Sequence, residues 1–146
     1  MKKITLGGMQ ASDIVLGCMR ISDMAVSRVQ ELLETAVEEG INYFDHADLY
    51  GHGASEEVFA KAMGQKPSLR ERIYLQSKCG IRDDGGLFRY DFSKSHILSS
   101  DLTLLHRIGP YSGQTSDISG RIDLRSTGLH ITIDLNSTVY VQTAVL

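Results

Sequence analysis

Asp45, Tyr50 and Lys78 are the side chains whose types and spacing could do chemistry. A phenol, with an unperturbed pKa near ~10, is too weak an acid to be poised at neutral pH. A nearby ammonium stabilises the phenolate and lowers that value, and a carboxylate can hold the ammonium in place. The three types together make a proton donor for a carbonyl oxygen, which suits carbonyl reduction, where hydride reaches carbon as the proton reaches oxygen. Each residue alone has a plainer reading. An aspartate at a strand end is usually structural, a lone tyrosine is amphipathic packing, and a lone lysine is solvated. Taken one at a time, the plainer readings are the stronger ones.

The chain opens as a hairpin. Ile4 and Leu6 precede a Gly7-Gly8 turn signal, and the apolar run Ile14, Val15 and Leu16 is the expected return strand. After the loop-like Gly17 to Arg20 comes the clearest helix. Val26, Val29, Leu32, Leu33, Ala36 and Val37 recur at helical spacing, and Gly40 sits where a C-terminal cap belongs. The stretch 41–47 (INYFDHA) reads as a buried strand. Ser55 is the expected cap of a second helix, with Glu56 and Glu57 at its positive end and Gly64 and Pro67 closing it. The stretch 73–76 (IYLQ) is a third strand, 82–92 a loop, and Ser93 the start of a helix through Ile97 and Leu98. Alternation of this kind implies parallel strands with right-handed crossovers, and a doubly wound sheet and a β/α barrel are equally open. In either fold, function sits at the C-terminal ends of the strands. Gly17 to Arg20, Asp45 to Tyr50, and Lys78 all fall there.

Composition narrows the function classes. The 146 residues carry a net charge of −3, which argues against a nucleic-acid or anionic-membrane surface. No apolar run approaches the ~20 residues that span a bilayer. The two lysines at the N-terminus have no apolar run behind them, so no signal peptide is expected. Cys18 and Cys79 read as reduced thiols of a cytoplasmic protein.

The stretch 41–51 (INYFDHADLYG) resembles the signature of the aldo-keto reductase superfamily, a GxNxFDTAxxYG pattern in which His46 takes the place of the usual threonine. Downstream, 69–81 (LRERIYLQSKCGI) is similar to the family strand that ends in its catalytic lysine. The wording is closest to the bacterial monomeric oxidoreductases of the superfamily. The resemblance covers residues 1–100. It implies a partial (β/α)8 barrel, with an N-terminal hairpin and the first three β/α units of a barrel that in the family runs to roughly 300 residues. It also implies NADPH bound without a Rossmann motif, and a carbonyl substrate of small size. Asp45, Tyr50 and Lys78 match three members of the family tetrad, with Tyr50 as proton donor, Lys78 as the cation beside it and Asp45 as the partner of Lys78. Gly17, Cys18 and Met19 match the loop that lies beside the nicotinamide ribose.

The fourth tetrad member, a histidine, has two registers. The stretch around Leu104, Leu105, His106 and Arg107 is locally like the family's LLLHRPD strand end, yet only ten residues separate His96 from His106. In the other register, 101–109 resembles the third barrel helix, and His106 is a surface residue. The short spacing favours this second register.

The remaining 46 residues change character. Residues 1–100 hold 26 charged side chains and 101–146 hold seven, with no Lys or Glu after Lys94. Such a shift marks a domain boundary or foreign sequence, as from a frameshift. Nothing in the family's wording is recognised from Pro110 onward, although 128–145 alternates as a strand pair with a turn near Asn136 and Ser137 would. The expectation is a truncated reductase, weakly active or inactive as this chain. Two rivals are a non-enzymatic half-barrel remnant and a metal-dependent hydrolase built on His46, His52, Asp45 and Asp48.

Overall fold

A computed structural model describes residues 1–6, 9–93, 95–96 and 99–100, together with three later strand segments. The opening hairpin is β1 (Lys3–Leu6) against β2 (Met9–Ser12), with Leu6 paired to Met9. The return strand therefore comes earlier than the apolar run suggested. Ile14 and Val15 are exposed, and only Leu16 enters a strand, β3 (Leu16–Gly17). The physical reason is that Leu6 pairs directly with Met9, so the chain has already returned by Ser12, and Asp13 and Ile14 turn toward the sheet.

Helix α1 (Val26–Glu38) forms as its apolar spacing requires, burying Val29, Leu33, Ala36 and Val37. Gly40, at φ 89, turns the chain out of it. Strand β4 (Tyr43–Asp45) follows, then a short 3-10 turn (Tyr50–Gly53) and helix α2 (Ala54–Gly64). Ser55 does not cap α2. Gly53, at φ 90, is the residue before the helix, no side chain caps it, and Ser55 is buried inside the first turn. Strand β5 (Tyr74–Ser77) completes the third unit.

Strands β3, β4 and β5 are parallel neighbours, in the registers Gly17 to Asp45 and Asp45 to Gln76. Their alternation sorts the side chains. Phe44 and Leu75 face the helices and join Val29, Leu33, Phe59 and Met63 in the main core. Tyr43 and Tyr74 lie on the other face with Ala11 of the hairpin. Asn42 fastens the hairpin under that face. Its Oδ1 accepts from the Ser12 amide at 2.7 Å, and its Nδ2 donates to the Gln10 carbonyl at 3.0 Å.

The stretch read as a loop holds a second hairpin, β6 (Ile81–Asp83) against β7 (Phe88–Tyr90). Gly85 and Gly86, both at positive φ, make its turn, and the Asp-Gly signal in 83–86 was there to be read. Ser93 does begin a helical stretch, its hydroxyl accepting from the His96 amide at 3.3 Å. Ile97 and Leu98 lie outside the described residues.

Three further strands extend the sheet: β8 (Ser119–Asp123), β9 (His130–Asp134) and β10 (Val139–Gln142). The order is β3-β4-β5-β10-β9-β8, with β10 parallel to β5, and β9 antiparallel to both its neighbours. Asn136 and Ser137, where a turn was expected, and His106 lie outside the described residues. No helix among the described residues is long and apolar enough to cross a membrane.

Candidate active site

The three chemical side chains meet at the C-terminal end of β4 and β5. Asp45 is the last residue of β4, Lys78 follows the last residue of β5, and Tyr50 opens the 3-10 turn between β4 and α2. Lys78 Nζ donates to Asp45 Oδ1 at 2.5 Å and to the His46 carbonyl at 2.6 Å. The same ammonium stands 5.1 Å from the centre of the Tyr50 ring. The Tyr50 hydroxyl donates to Asp45 Oδ2 at 3.5 Å. Lys78 and Asp45 keep about a quarter of their side-chain surface in solvent, so the pair opens outward rather than sealing a core. A cation fixed this way lies beside a phenol whose oxygen becomes anionic when it gives up its proton.

The backbone that aims Tyr50 is unusual. Gly51, His52 and Gly53 all have positive φ, at 57, 51 and 90 degrees. A Cβ on Gly51 would stand 2.5 Å from Ser22 Cβ, so the glycine lets this turn close on the segment after β3. That segment is tied to the site as well, because the Cys18 amide donates to the Asp45 carbonyl at 2.9 Å. Gly17 has open space where a side chain would be, and Met19 is 54% exposed. Cys18 faces the opposite way. It is fully buried, and burial, reinforced by the Asp45 carboxylate, pushes its thiol up to about 12. It is a neutral core residue at any ordinary pH.

Two features escaped the sequence. Gln76 Nε2 donates to Asp45 Oδ1 at 3.1 Å while its Oε1 accepts from the Tyr43 hydroxyl at 2.6 Å. Behind the sheet, Glu56 and Ser77 are buried together, with the Ser77 hydroxyl donating to Glu56 Oε1 at 2.6 Å. Glutamine in a strand and glutamate in a helical first turn are too ordinary to single out without the fold.

The residues that suggested a metal are not gathered at one point. The His46 ring is buried edge-on to Phe59, their centroids 4.6 Å apart, while His52 is largely exposed and lies 3.6 Å from Asp83. Among the described residues, no group of three or more His, Cys, Asp and Glu side chains could hold a metal ion. Burial, with Lys78 adding to it, drives the His46 imidazole down to about 3. The unfolded chain therefore binds the extra proton first as pH falls. This contribution to stability is intact above about pH 6.5 and is lost progressively toward pH 3, by at most about 1.4 kcal/mol per pH unit. Urea unfolding of the wild type and of His46→Leu at pH 7, 6 and 5 measures it. The gap between the two should shift in the variant's favour as pH falls, and parallel pH profiles would count against the buried neutral imidazole.

Comparison with known proteins places this geometry. The aldo/keto reductase family model matches residues 4–109. The chain belongs to that family. It is 35% identical to the uncharacterized oxidoreductase YcsN of Bacillus subtilis, over 75% of this chain and 44% of the relative. It is 32% identical to a 6-dehydroglucose reductase of Agrobacterium fabrum, over 75% of this chain and 45% of the relative. Among solved structures, an aldo-keto reductase from Bacillus halodurans in its holo form overlays with a TM-score of 0.62 at 32% identity. The overlay covers 74% of this chain and 36% of that one. The glycerol dehydrogenase of Gluconobacter oxydans gives 0.61 at 25% identity, over 73% and 36%. Of the two folds left open by the pattern of elements, the chain is thus a (β/α)8 barrel in part. The chain spans less than half the length of these relatives. The match with the Bacillus subtilis protein runs over 132 positions, more than three quarters of a 146-residue chain can fill. The relative therefore carries residues inside the matched stretch that this chain lacks.

Proposed function

We propose that this chain carries the proton-donating part of an NADPH-dependent reductase of small aldehydes and ketones. The observation that carries the reading is the contact of Lys78 with Asp45, at the strand end where the ammonium also faces the Tyr50 ring. In this reading Tyr50 gives its hydroxyl proton to the carbonyl oxygen. Lys78 offsets the negative charge left on the phenol, and Asp45 keeps Lys78 from turning away. The donor set fits the reacting end of a nicotinamide. Gly17 and Met19 would border it, the first with no side chain in the way and the second exposed. The cofactor would supply the hydride. Cys18 would contribute through its backbone, since its side chain belongs to the core.

The fourth member of the tetrad is His106 in our reading. The family match runs to residue 109 while residues are missing inside the matched stretch. That combination supports the strand-end register over the surface-helix register favoured by spacing alone. The tail beyond the family match, after residue 109, is a separate, divergent part, and its strands stand in place of later barrel units.

Grafting tests the reading. Residues 4–93 of this chain, set in place of the matching part of the Bacillus subtilis relative so that all later barrel units come from the relative, should yield a folded protein that oxidises NADPH with a reactive aldehyde such as a nitrobenzaldehyde. A folded graft that binds NADPH but shows no turnover, beside an active parent, would refute it.

A further inference from the structure

We infer that Gln76 is a positioning residue for Asp45, set in its orientation by the Tyr43 hydroxyl. Tyr43 and Asp45 alternate along β4 on the face turned away from the helices, and Gln76 is the register partner of Asp45 on β5. The amide must be oriented one way. Tyr43 donates to Oε1 at 2.6 Å, which leaves Nε2 as the donor to Asp45 Oδ1 at 3.1 Å. A carboxylate at the end of a strand can turn about its side-chain torsions. Here Oδ1 takes two donors, Lys78 and Gln76, and Oδ2 is left to face the Tyr50 hydroxyl. Lys78 alone could follow the carboxylate through several rotamers, because its stem is long and flexible. Gln76 cannot, because its amide is held at both ends between two strands. The row Tyr43, Gln76, Asp45, Lys78 thus transmits the fixed register of the sheet to the group that holds the ammonium. The importance of that position for reduction rests on the function proposed above.

The test uses the full chain and needs no turnover. NMR of labelled protein reads the side-chain couplings of Asp45, which report its rotamer populations, and the side-chain amide protons of Gln76. In the wild type, Asp45 should occupy one rotamer and the two Gln76 amide protons should be well separated. Tyr43→Phe removes only a hydroxyl. It should loosen the Gln76 amide and shift the Asp45 rotamer ratio by roughly two- to fivefold, the worth of a hydrogen bond between neutral groups. Gln76→Leu should shift it by about tenfold, the worth of one hydrogen bond to a charged group, with the backbone spectra of α1 and α2 unchanged. A single Asp45 rotamer in both variants would overturn the inference. If Gln76→Leu does not fold, Tyr43→Phe decides alone. Failure here leaves the reductase reading standing, since that reading is judged by Tyr50 and Lys78 in the graft.

Discussion

Mixed with NADPH and a nitrobenzaldehyde, the 146-residue chain alone should oxidise the cofactor no faster than its own Tyr50→Phe variant. The reason lies in the sheet. A closed eight-stranded barrel has no edge, whereas the order β3-β4-β5-β10-β9-β8 leaves β3 and β8 each with one neighbour among the described strands. Exposed Ile14, Val15 and Met19 lie along and beyond the β3 side, where an open sheet presents apolar surface to water. Tyr50 and Lys78 can donate a proton only to a carbonyl held in front of them. Orientation of two reactants accounts for ~7–11 kcal/mol of a barrier. Without further barrel units to hold cofactor and substrate, most of that is lost. Turnover by monodisperse protein well above the Tyr50→Phe control would show that the tail, or a second copy, completes the site.

The second large effect concerns stability. Phe59 is fully buried, edge-on to Phe44 at 5.7 Å and to His46 at 4.6 Å. It anchors α2 to the sheet directly behind the strand end that carries Asp45. Phe59→Ala should cost ~3–5 kcal/mol through lost transfer energy and the cavity left behind. Against a typical total of ~5–15 kcal/mol, that is enough to leave much of the protein unfolded at 37 °C. Urea unfolding followed by circular dichroism measures it. A loss below ~1 kcal/mol would mean that α2 does not rest on this ring.

The three catalytic candidates were legible because the stretches 41–51 and 69–81 carry the family's wording and each residue falls at a strand end, whereas residue type alone left the plainer readings ahead. Helix α1 was legible because its apolar stripe is local and uninterrupted. The misses share a different cause. The return strand of the first hairpin was assigned to Ile14 and Val15 because they are apolar, but Met9 to Ser12 already pair with Leu6 to Lys3. Ser55 has the side chain of a cap, yet the 3-10 turn runs straight into α2, with the Ala54 amide already bonded to the Tyr50 and Gly51 carbonyls, and the serine is buried inside the first turn. Gln76 and Tyr43 are 33 residues apart, and only strand register brings them together. His46 shows the limit from the other side. A histidine between an aspartate and a second acid looks like a ligand in sequence, but β4 turns it into the core while Asp45 faces out.

The account stands on Tyr50 as proton donor with Lys78 as its cation. In the graft of residues 4–93 onto the Bacillus subtilis relative, Tyr50→Phe and Lys78→Met should each lower kcat by ~10²–10⁴, the range of general acid catalysis, with NADPH binding little changed. A graft whose Tyr50→Phe form keeps its kcat within a few-fold of the unmutated graft would contradict it.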